Sequence, residues 1–336
     1  MNQMVGKQSV EFQAAVRIVS SASVVGPKEG EGPLGECFDL VAPEAEFGED
    51  TWEKSESTMQ KEALRTAIGK AQLEACQVRY LFGGDLLAQL IATSFGNGDT
   101  DIPLFGLYGA CSTCGEALLL AAMAVAGGYA DYAAAMTSSH FGSAEKEFRF
   151  PLGYGNQRPL SATWTVTGSG AFILAAKGGN VKVRGATPGR IVDMGVRDNM
   201  NMGACMAPAA ADTICRNLAD FNLKPEDYDR IVTGDLGYVG QRILLDLMKE
   251  KNLDISEQHM DCGIEIYDVE TQDTHAGGSG CGCSAVVLSA LILPKIASGE
   301  WQRVLFVPTG ALLSKVSFNE GQTVPGIAHA VILESV

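Results

Sequence analysis

The chain has 336 residues and a formal net charge of −15, and 46% of its residues are hydrophobic. This charge excludes a nucleic-acid partner and direct docking on anionic lipid, although a small anion can still bind at local cations or at helix ends. The length is too great for one small core and indicates two packed domains or one large pseudo-symmetric body. The 39 glycines are typical of an α/β protein with many tight turns.

Apolar patterns predict alternating strands and helices in the first part of the chain. Residues 1–13 are polar, which predicts a poorly ordered start, and residues 26–50 contain several acids and predict a loop. The predicted elements are a strand at Val16–Val25, a helix at Thr51–Ala75, a strand at Val78–Phe82 and a helix at Asp85–Phe95.

The stretch Leu104–Ala126, LFGLYGACSTCGEALLLAAMAVA, is the one around which the chain is organised. A short apolar strand meets a tight turn at Gly109–Ser112, and a long helix follows that has almost no charge after Glu116. The turn places Cys111 at or near the start of a buried helix, where free N–H groups favour a thiolate or a bound anion. The alternative is an ordinary buried cysteine that packs as a small core residue.

Nine cysteines, with no signal-peptide pattern, predict a reducing compartment. The pairs Cys111/Cys114 and Cys281/Cys283 begin long apolar helices, whereas zinc sites use exposed turns with further ligands close by, so no metal site is expected. A thioredoxin-like redox role for the first pair is possible, but the compact βαβ setting of that fold is lacking. No apolar run is long enough to cross a membrane.

Residues 138–165 interrupt the regular pattern with aromatic, glycine, proline and arginine residues. They follow a predicted strand at Tyr132–Thr137 and precede one at Thr167–Ala175. Such an irregular insertion on a regular α/β body is more often functional than not. It is therefore a candidate part of a binding site.

The second half of the chain repeats the first in the same order, which predicts a duplicated unit. The matched segments are Arg17–Val19 with Arg190–Val192, Phe82–Leu86 with Val232–Leu236, Cys111–Cys114 with Cys281–Cys283, Gly128–Asp131 with Gly299–Gln302, and Ala171–Leu174 with Ala330–Leu333. We expect halves at 1–185, with the insertion at about 138–165, and at 186–336. Two such halves, with their sheets packed around two buried helices, make a five-layered α-β-α-β-α body.

The cysteine-headed buried helix resembles the nucleophile turn of the thiolase and ketoacyl synthase superfamily. That resemblance implies a nucleophilic cysteine, a pair drawn from His and Asn to activate it, and an oxyanion hole. Cys111 fits the first role, and His275 before Gly277 could be the thiolase-type histidine. Asp235 stands in the second-half loop where the superfamily carries His or Asn, and a carboxylate there opposes thiolate formation. An acyl-transfer enzyme that uses Cys111 and His275 is therefore the alternative function.

Three long motifs resemble the stage V sporulation protein AD family of spore-forming bacteria. They are GLYGACSTCGEAL, TSSHFGSAEKEFRFPLGYGNQRP and THAGGSGCGCSA, and the similarity covers nearly the whole chain. The resemblance implies a thiolase-like homodimer without established condensing activity. It also implies binding of dipicolinic acid or its calcium chelate, with no other cofactor. The implied partners are the other SpoVA proteins, at the cytoplasmic side of the forespore inner membrane, which the chain reaches only through them.

The ligand site is expected in the pocket beneath the cysteine turn, because a helix start and a basic, aromatic insertion are adjacent there in sequence. The expected ligand-binding residues are Cys111, His140, Arg158, Asp235 and His275. Other candidates in the insertion are Arg149 for charge and Phe141, Phe148 or Tyr154 for a flat wall. Each histidine could instead be structural, each arginine could be solvated or at a dimer interface, and a purely structural subunit with a vestigial pocket is a third possibility.

Overall fold

A computed structural model describes residues 2–148 and 157–336. Its strands are β1 (Met4–Val5), β2 (Ser9–Glu11), β3 (Arg17–Val25), β4 (Leu40–Val41), β5 (Tyr80–Gly84), β6 (Leu104–Gly106), β7 (Tyr132–Ser139), β8 (Trp164–Thr165), β9 (Gly168–Ala175), β10 (Val181–Thr187), β11 (Arg230–Thr233), β12 (His259–Asp261), β13 (Gly278–Ser279), β14 (Arg303–Val307), β15 (Thr309–Ala311), β16 (Gly326–Ala328) and β17 (Ala330–Ser335). Its α-helices are α1 (Pro27–Gly30), α2 (Trp52–Lys70), α3 (Ile91–Asn97), α4 (Thr113–Ala126), α5 (Phe141–Phe148), α6 (Met202–Phe221), α7 (Gly237–Glu250), α8 (Cys262–Glu265), α9 (Cys281–Val287), α10 (Leu293–Ala297) and α11 (Lys315–Asn319). Short 3₁₀ turns lie at Gly35–Cys37, Ala75–Gln77, Ala88–Leu90 and Pro225–Asp227, and a π-helical segment lies at Leu288–Ile292.

The main sheet has the same strand order in both halves of the chain. The order is β12-β11-β14-β17-β10-β3-β9-β7-β5-β6, so each half runs outward from a central strand, β3 or β10. In each half an antiparallel strand follows the central one, and three mutually parallel strands complete the half. The predicted duplicated α/β fold is confirmed. The two half-sheets are continuous, because β3 and β10 pair antiparallel at Ile18 and Val181.

Successive side chains of each strand point to alternate faces of the sheet, and this builds a layered core. In β9, Phe172 faces the cluster that contains Leu118 of α4 and Val286 of α9, whereas Ile173 faces the cluster that contains Met59 of α2. In β17, Val331 joins the central cluster and Ile332 joins a third cluster with α6 and α7. Successive strand residues point to opposite faces, so each half-sheet is buried on both sides. The layers are α2, one half-sheet, α4 with α9, the other half-sheet, and α6 with α7.

The second half begins earlier than the repeat indicated. The counterpart of β3 is β10, whereas Arg190–Val192 forms no strand beyond one isolated bridge, from Val192 to Gly326. Residues 188–189 are Pro-Gly, which ends the strand, and Ile191 beyond them is 65% exposed. A boundary after residue 185 falls inside β10, and the strand order places the change of halves in the turn at 176–180.

The N-terminal segment is ordered rather than loose. Strand β2 pairs antiparallel with β10, where Val10 lies opposite Ala186. Backbone N–H groups of Lys7, Gln8 and Ser9 donate to the carboxylate of Asp220 at 2.9–3.2 Å. The prediction of a poorly ordered start missed this anchor because Asp220 lies about two hundred residues away in sequence.

Two further segments differ from their predicted form. Asp85 accepts hydrogen bonds from the N–H groups of Leu87 and Thr93, and Gln89 has a positive φ, so the α-helix predicted from Asp85 begins only at Ile91. The irregular segment predicted from 138 instead contains the end of β7 and helix α5. Within the described residues, no helix is long and apolar enough to cross a membrane.

Candidate functional site

The turn before α4 is held by its own hydroxyl groups. Ser112 Oγ donates to Gly109 O at 2.7 Å, and Thr113 Oγ1 donates to Ala110 O at 2.7 Å. Gly310 of β15 presses against the turn, since a Cβ on it would lie 2.4 Å from Gly109 O. The turn therefore places Cys111 in a buried position, two residues before the first residue of α4, as the sequence predicted.

Asp235 is fully buried beside the thiol of Cys111. Its carboxylate accepts hydrogen bonds from Gly280 N at 2.9 Å, Ser279 Oγ at 3.0 Å and Thr309 Oγ1 at 2.7 Å. Burial raises the pKa of the Cys111 thiol well above its usual value, and the charge of Asp235 adds to the effect. Burial also raises the pKa of Asp235. The thiol and the carboxyl group therefore both favour their protonated forms, whereas a nucleophilic cysteine must be a thiolate.

A further acid stands behind this pair. Asp261 accepts from Thr233 Oγ1 at 2.6 Å and from the N–H groups of Leu236 and Gly237 at 2.9 and 3.0 Å, and so fixes the loop that carries Asp235. Burial raises the pKa of Asp261 to about 7. The region around the thiol thus concentrates carboxyl groups.

A cleft with about 450 Å³ of empty space opens at the thiol. Its described walls are mainly apolar and include Leu86, Tyr108, Phe148, Met202 and Leu313, together with Cys111. The described lining includes no lysine, arginine or histidine. His140, Arg158 and His275, which were expected here, lie elsewhere.

His140 is a structural histidine at the start of α5. Its Nε2 lies 2.9 Å from Ala45 O, and its Nδ1 accepts from Gly142 N at 3.0 Å, so both ring nitrogens are occupied. Burial lowers its pKa, which keeps the ring neutral. The ring caps α5 and lines a second cavity rather than the cleft at the thiol.

The second cavity, with about 680 Å³ of empty space, has aromatic walls and a cation. Phe141 and Trp164 stack in it with ring centroids 3.8 Å apart and an interplanar angle of 8°. Lys28 Nζ lies 4.4 Å from the centroid of the Trp164 ring, and Arg158 Cζ lies 4.8 Å from it. We refer to this space as the tryptophan cavity.

Arg158 and His275 meet at Asp273, on the loop before β13. Arg158 Nη2 donates to Asp273 O at 2.9 Å and to its carboxylate at 3.1 Å. His275 Nε2 lies 3.1 Å from the other carboxylate oxygen, and His275 Nδ1 lies 2.9 Å from Pro159 O. Two of the predicted residues are therefore neighbours, but they lie away from Cys111.

Helix α5 separates the two spaces. Glu145 of this helix lines both the cleft and the tryptophan cavity, whereas Phe148 lines the cleft but not the cavity, and Phe141 lines the cavity but not the cleft. Sequence reasoning missed Lys28 and Trp52, which line the cavity, because they stand in or next to a segment read as a loop. Arg149 and Tyr154, also predicted as candidates, lie outside the described residues.

Comparison with known proteins identifies the family. The profile of the family described as Stage V sporulation protein AD (SpoVAD) matches residues 6–334. The chain is 41% identical over 331 residues to "Stage V sporulation protein AD" of Bacillus subtilis (strain 168), and the match covers 98% of each chain.

Solved structures that resemble this chain have low sequence identity to it. The tetronic acid condensing enzyme AbyA1 is 17% identical with a TM-score of 0.62, and the match covers 95% of this chain and 100% of that one. The 3-oxoacyl-[acyl-carrier-protein] synthase III of Aquifex aeolicus VF5 is 12% identical with a TM-score of 0.56, covering 95% and 99%. An OleA variant of Xanthomonas campestris is 15% identical with a TM-score of 0.59, covering 96% and 99%. These likenesses show a thiolase-like fold, and the chain belongs to the stage V sporulation protein AD family.

Proposed function

We propose that this protein of a sporulation family binds dipicolinate (pyridine-2,6-dicarboxylate), free or as its calcium chelate, without catalysing a reaction on it. The observation that carries the proposal is the pair of cations on one indole ring: Lys28 Nζ and Arg158 Cζ lie 4.4 and 4.8 Å from the centroid of Trp164. We place the ligand in the tryptophan cavity and not in the cleft at Cys111.

The tryptophan cavity matches the chemistry of this ligand. Dipicolinate is a small planar dianion, so it is recognised by charge-assisted hydrogen bonds to its carboxylates and by flat aromatic surfaces against its ring. Lys28, Trp52, Phe141 and Trp164 line the cavity and offer both kinds of contact. Burial lowers the pKa of Lys28, with a smaller contribution from Arg158, whereas the carboxylates of Glu29, Asp273 and Glu31 oppose the shift. A carboxylate of the ligand beside Lys28 would likewise favour its charged form.

The cleft at the thiol is a poor site for a dianion. Its described walls are mainly apolar, and Asp235 is buried beside Cys111. A carboxylate brought there would lose its hydration and would face a carboxyl group rather than a cation. This argument moves the site from the pocket that the sequence favoured to the cavity on the other side of α5.

The alternative function, acyl transfer through Cys111, requires a thiolate. The raised pKa of Cys111 opposes this, and His275 lies at Asp273, outside the described lining of the cleft. Incubation with acetyl-CoA followed by intact-mass analysis is expected to leave Cys111 unmodified. An acetyl adduct on Cys111 would support the enzyme instead.

Calorimetry with dipicolinate, with and without calcium, tests the proposal. Lys28→Met should weaken binding about tenfold to a hundredfold, since a charge-assisted hydrogen bond is worth about 1.5–3 kcal/mol. Trp164→Leu should weaken it about twofold to tenfold, since an aromatic contact is worth about 0.5–1.5 kcal/mol. Lys146→Met is the matched control, because Lys146 is exposed and pairs with Glu53 outside the cavity. Cys111→Ala should bind as the parent does. If Cys111→Ala loses binding while Lys28→Met retains it, the ligand lies in the cleft.

We further propose that the protein is a homodimer, that it works with other SpoVA proteins, and that these partners hold it at the cytoplasmic side of the forespore inner membrane. The edge strand β6 supports the dimer: it ends the sheet, and its Leu104 and Phe105 are 40% and 49% exposed. Sedimentation at micromolar concentration should show a dimer, and Phe105→Lys should weaken it. A monomer at every loading would contradict this.

A further inference from the structure

The two cations at the Trp164 ring, Lys28 of the tryptophan cavity and the neighbouring Arg158, are both held by one loop of the protein. Lys28 Nζ donates to Gln272 O at 2.5 Å, and Gln272 Nε2 donates to Lys28 O at 2.7 Å. The next residue, Asp273, engages Arg158 through its backbone and side-chain oxygens. Adjacent residues therefore supply oxygen acceptors to both cations.

The ion pair at Asp273 is asymmetric in exposure. The side chain of Arg158 is 5% exposed, whereas that of Asp273 is 77% exposed. The guanidinium cannot exchange its partner for bulk water, but the carboxylate can leave at little cost in hydration. Within the described part of the chain, Nη1 of Arg158 is buried without a hydrogen-bond acceptor, so the pair leaves part of the guanidinium unsatisfied.

The backbone around Asp273 is held in an unusual conformation. Asp273 has a φ of 52° and His275 a φ of 54°, both in the left-handed region. His275 Nε2 lies 3.1 Å from Asp273 Oδ1, so the carboxylate is shared between two cationic or polar groups. A non-glycine residue in this region is strained, although aspartate tolerates it better than most.

From this arrangement we infer that Asp273 competes with a carboxylate of the ligand for Arg158. Asp273 binds the guanidinium until dipicolinate displaces it. The inference rests on the proposed function. A ligand carboxylate at Arg158 replaces one oxygen acceptor by another and can also reach the unsatisfied nitrogen. The released Asp273 side chain turns into solvent. Asp273 thus lowers the affinity of the site for dipicolinate.

Removal of the competing charge should tighten binding. Asp273→Asn keeps a side chain that tolerates a positive φ, and calorimetry should show dipicolinate binding about threefold to tenfold more tightly than in the parent. Asp273→Gly, which also suits the backbone, is the second variant and should change affinity in the same direction. Melting curves verify that each variant is folded.

Glu270→Gln is the matched control, since it removes the same charge from the same exposed loop without a contact to Arg158. It should leave the affinity within about twofold of the parent, the scale of a screened surface charge. Equal affinity of the Asp273 variants and the parent would overturn the inference, and so would weaker binding, which would make Asp273 a positioning residue. If neither the parent nor the variants bind dipicolinate, the proposed function fails and the inference fails with it.

Discussion

The cleft at Cys111 and the tryptophan cavity share the wall made by α5 but differ in the side chains that line the rest of each space. The cleft joins a protonated thiol and a buried carboxyl to mainly apolar walls. The cavity joins Lys28 and the buried acids Glu29 and Glu145 to stacked aromatic rings, and Arg158 lies at the same indole ring. The cleft opens at the turn before α4, on which Cys111 lies. The cavity is built from connecting segments around α1, α5 and β8. The difference supports the proposal that a charged ligand binds among these connecting segments and not at the turn before α4.

Reversal of one charge in the cavity should have the largest effect. Lys28→Glu places a carboxylate against the ligand dianion and should weaken dipicolinate binding by about a hundredfold or more, because a like charge opposite a buried charge costs several kcal/mol. Lys146→Glu makes the same change on an exposed side chain of α5 and should have little effect. Calorimetry on both variants checks this, and equal losses would remove the distinction between the two regions.

The carboxyl groups on the cleft side should make stability depend on pH. The folded protein holds the Asp261 proton up to a pKa of about 7, whereas the unfolded chain releases it near pH 3.9. The unfolded state then binds fewer protons between these values, so the free energy of unfolding falls as pH rises, by up to about 1.4 kcal/mol per unit. Urea melts at several pH values in this range should show that the free energy of unfolding falls less steeply with pH in Asp261→Asn than in the parent. Parallel pH profiles would show that Asp261 is ionised in the folded protein.

Removal of the charge of Asp235 should make the thiol of Cys111 more reactive. Asp235→Asn should lower the pKa of Cys111 and raise its alkylation rate by iodoacetamide about tenfold, as expected for one pKa unit. Peptide mass analysis measures this rate, with the exposed Cys37 as the internal standard. Alkylation of parental Cys111 as fast as that of Cys37 would contradict the protonated thiol.

The smallest effect is expected at the helix between the two regions. His140→Ala removes the ring that accepts from Gly142 N at the start of α5 and should lower the free energy of unfolding by about 0.5–2 kcal/mol, the usual range for a lost cap. Dipicolinate affinity should change less than in Lys28→Met, because both ring nitrogens bind the protein itself. A loss of affinity with unchanged stability would make His140 a ligand contact.

The parts of the fold that could be predicted depend on local pattern. The strand, turn and buried helix around Cys111 follow from apolar runs and glycines, and the position of Asp235 follows from the repeat. Helix α5 was missed because its eight residues are too short to show a clear period and begin Phe-Gly. The proposed site differs from the one that the sequence predicts because its contacts are long-range: Arg158 and Asp273 are 115 positions apart, and no spacing rule connects them.

The cations at Trp164 stand in a molecule whose net charge is −15, so the field that a dianion meets changes sign on approach. Far from the surface the protein repels it, and only within about a Debye length, roughly 10 Å at moderate salt, do Lys28 and Arg158 dominate. Added salt should therefore accelerate capture, the reverse of electrostatic steering, while it weakens the contact once formed. On the proposed function, the tryptophan cavity should therefore be filled faster in a concentrated ionic medium than in a dilute one.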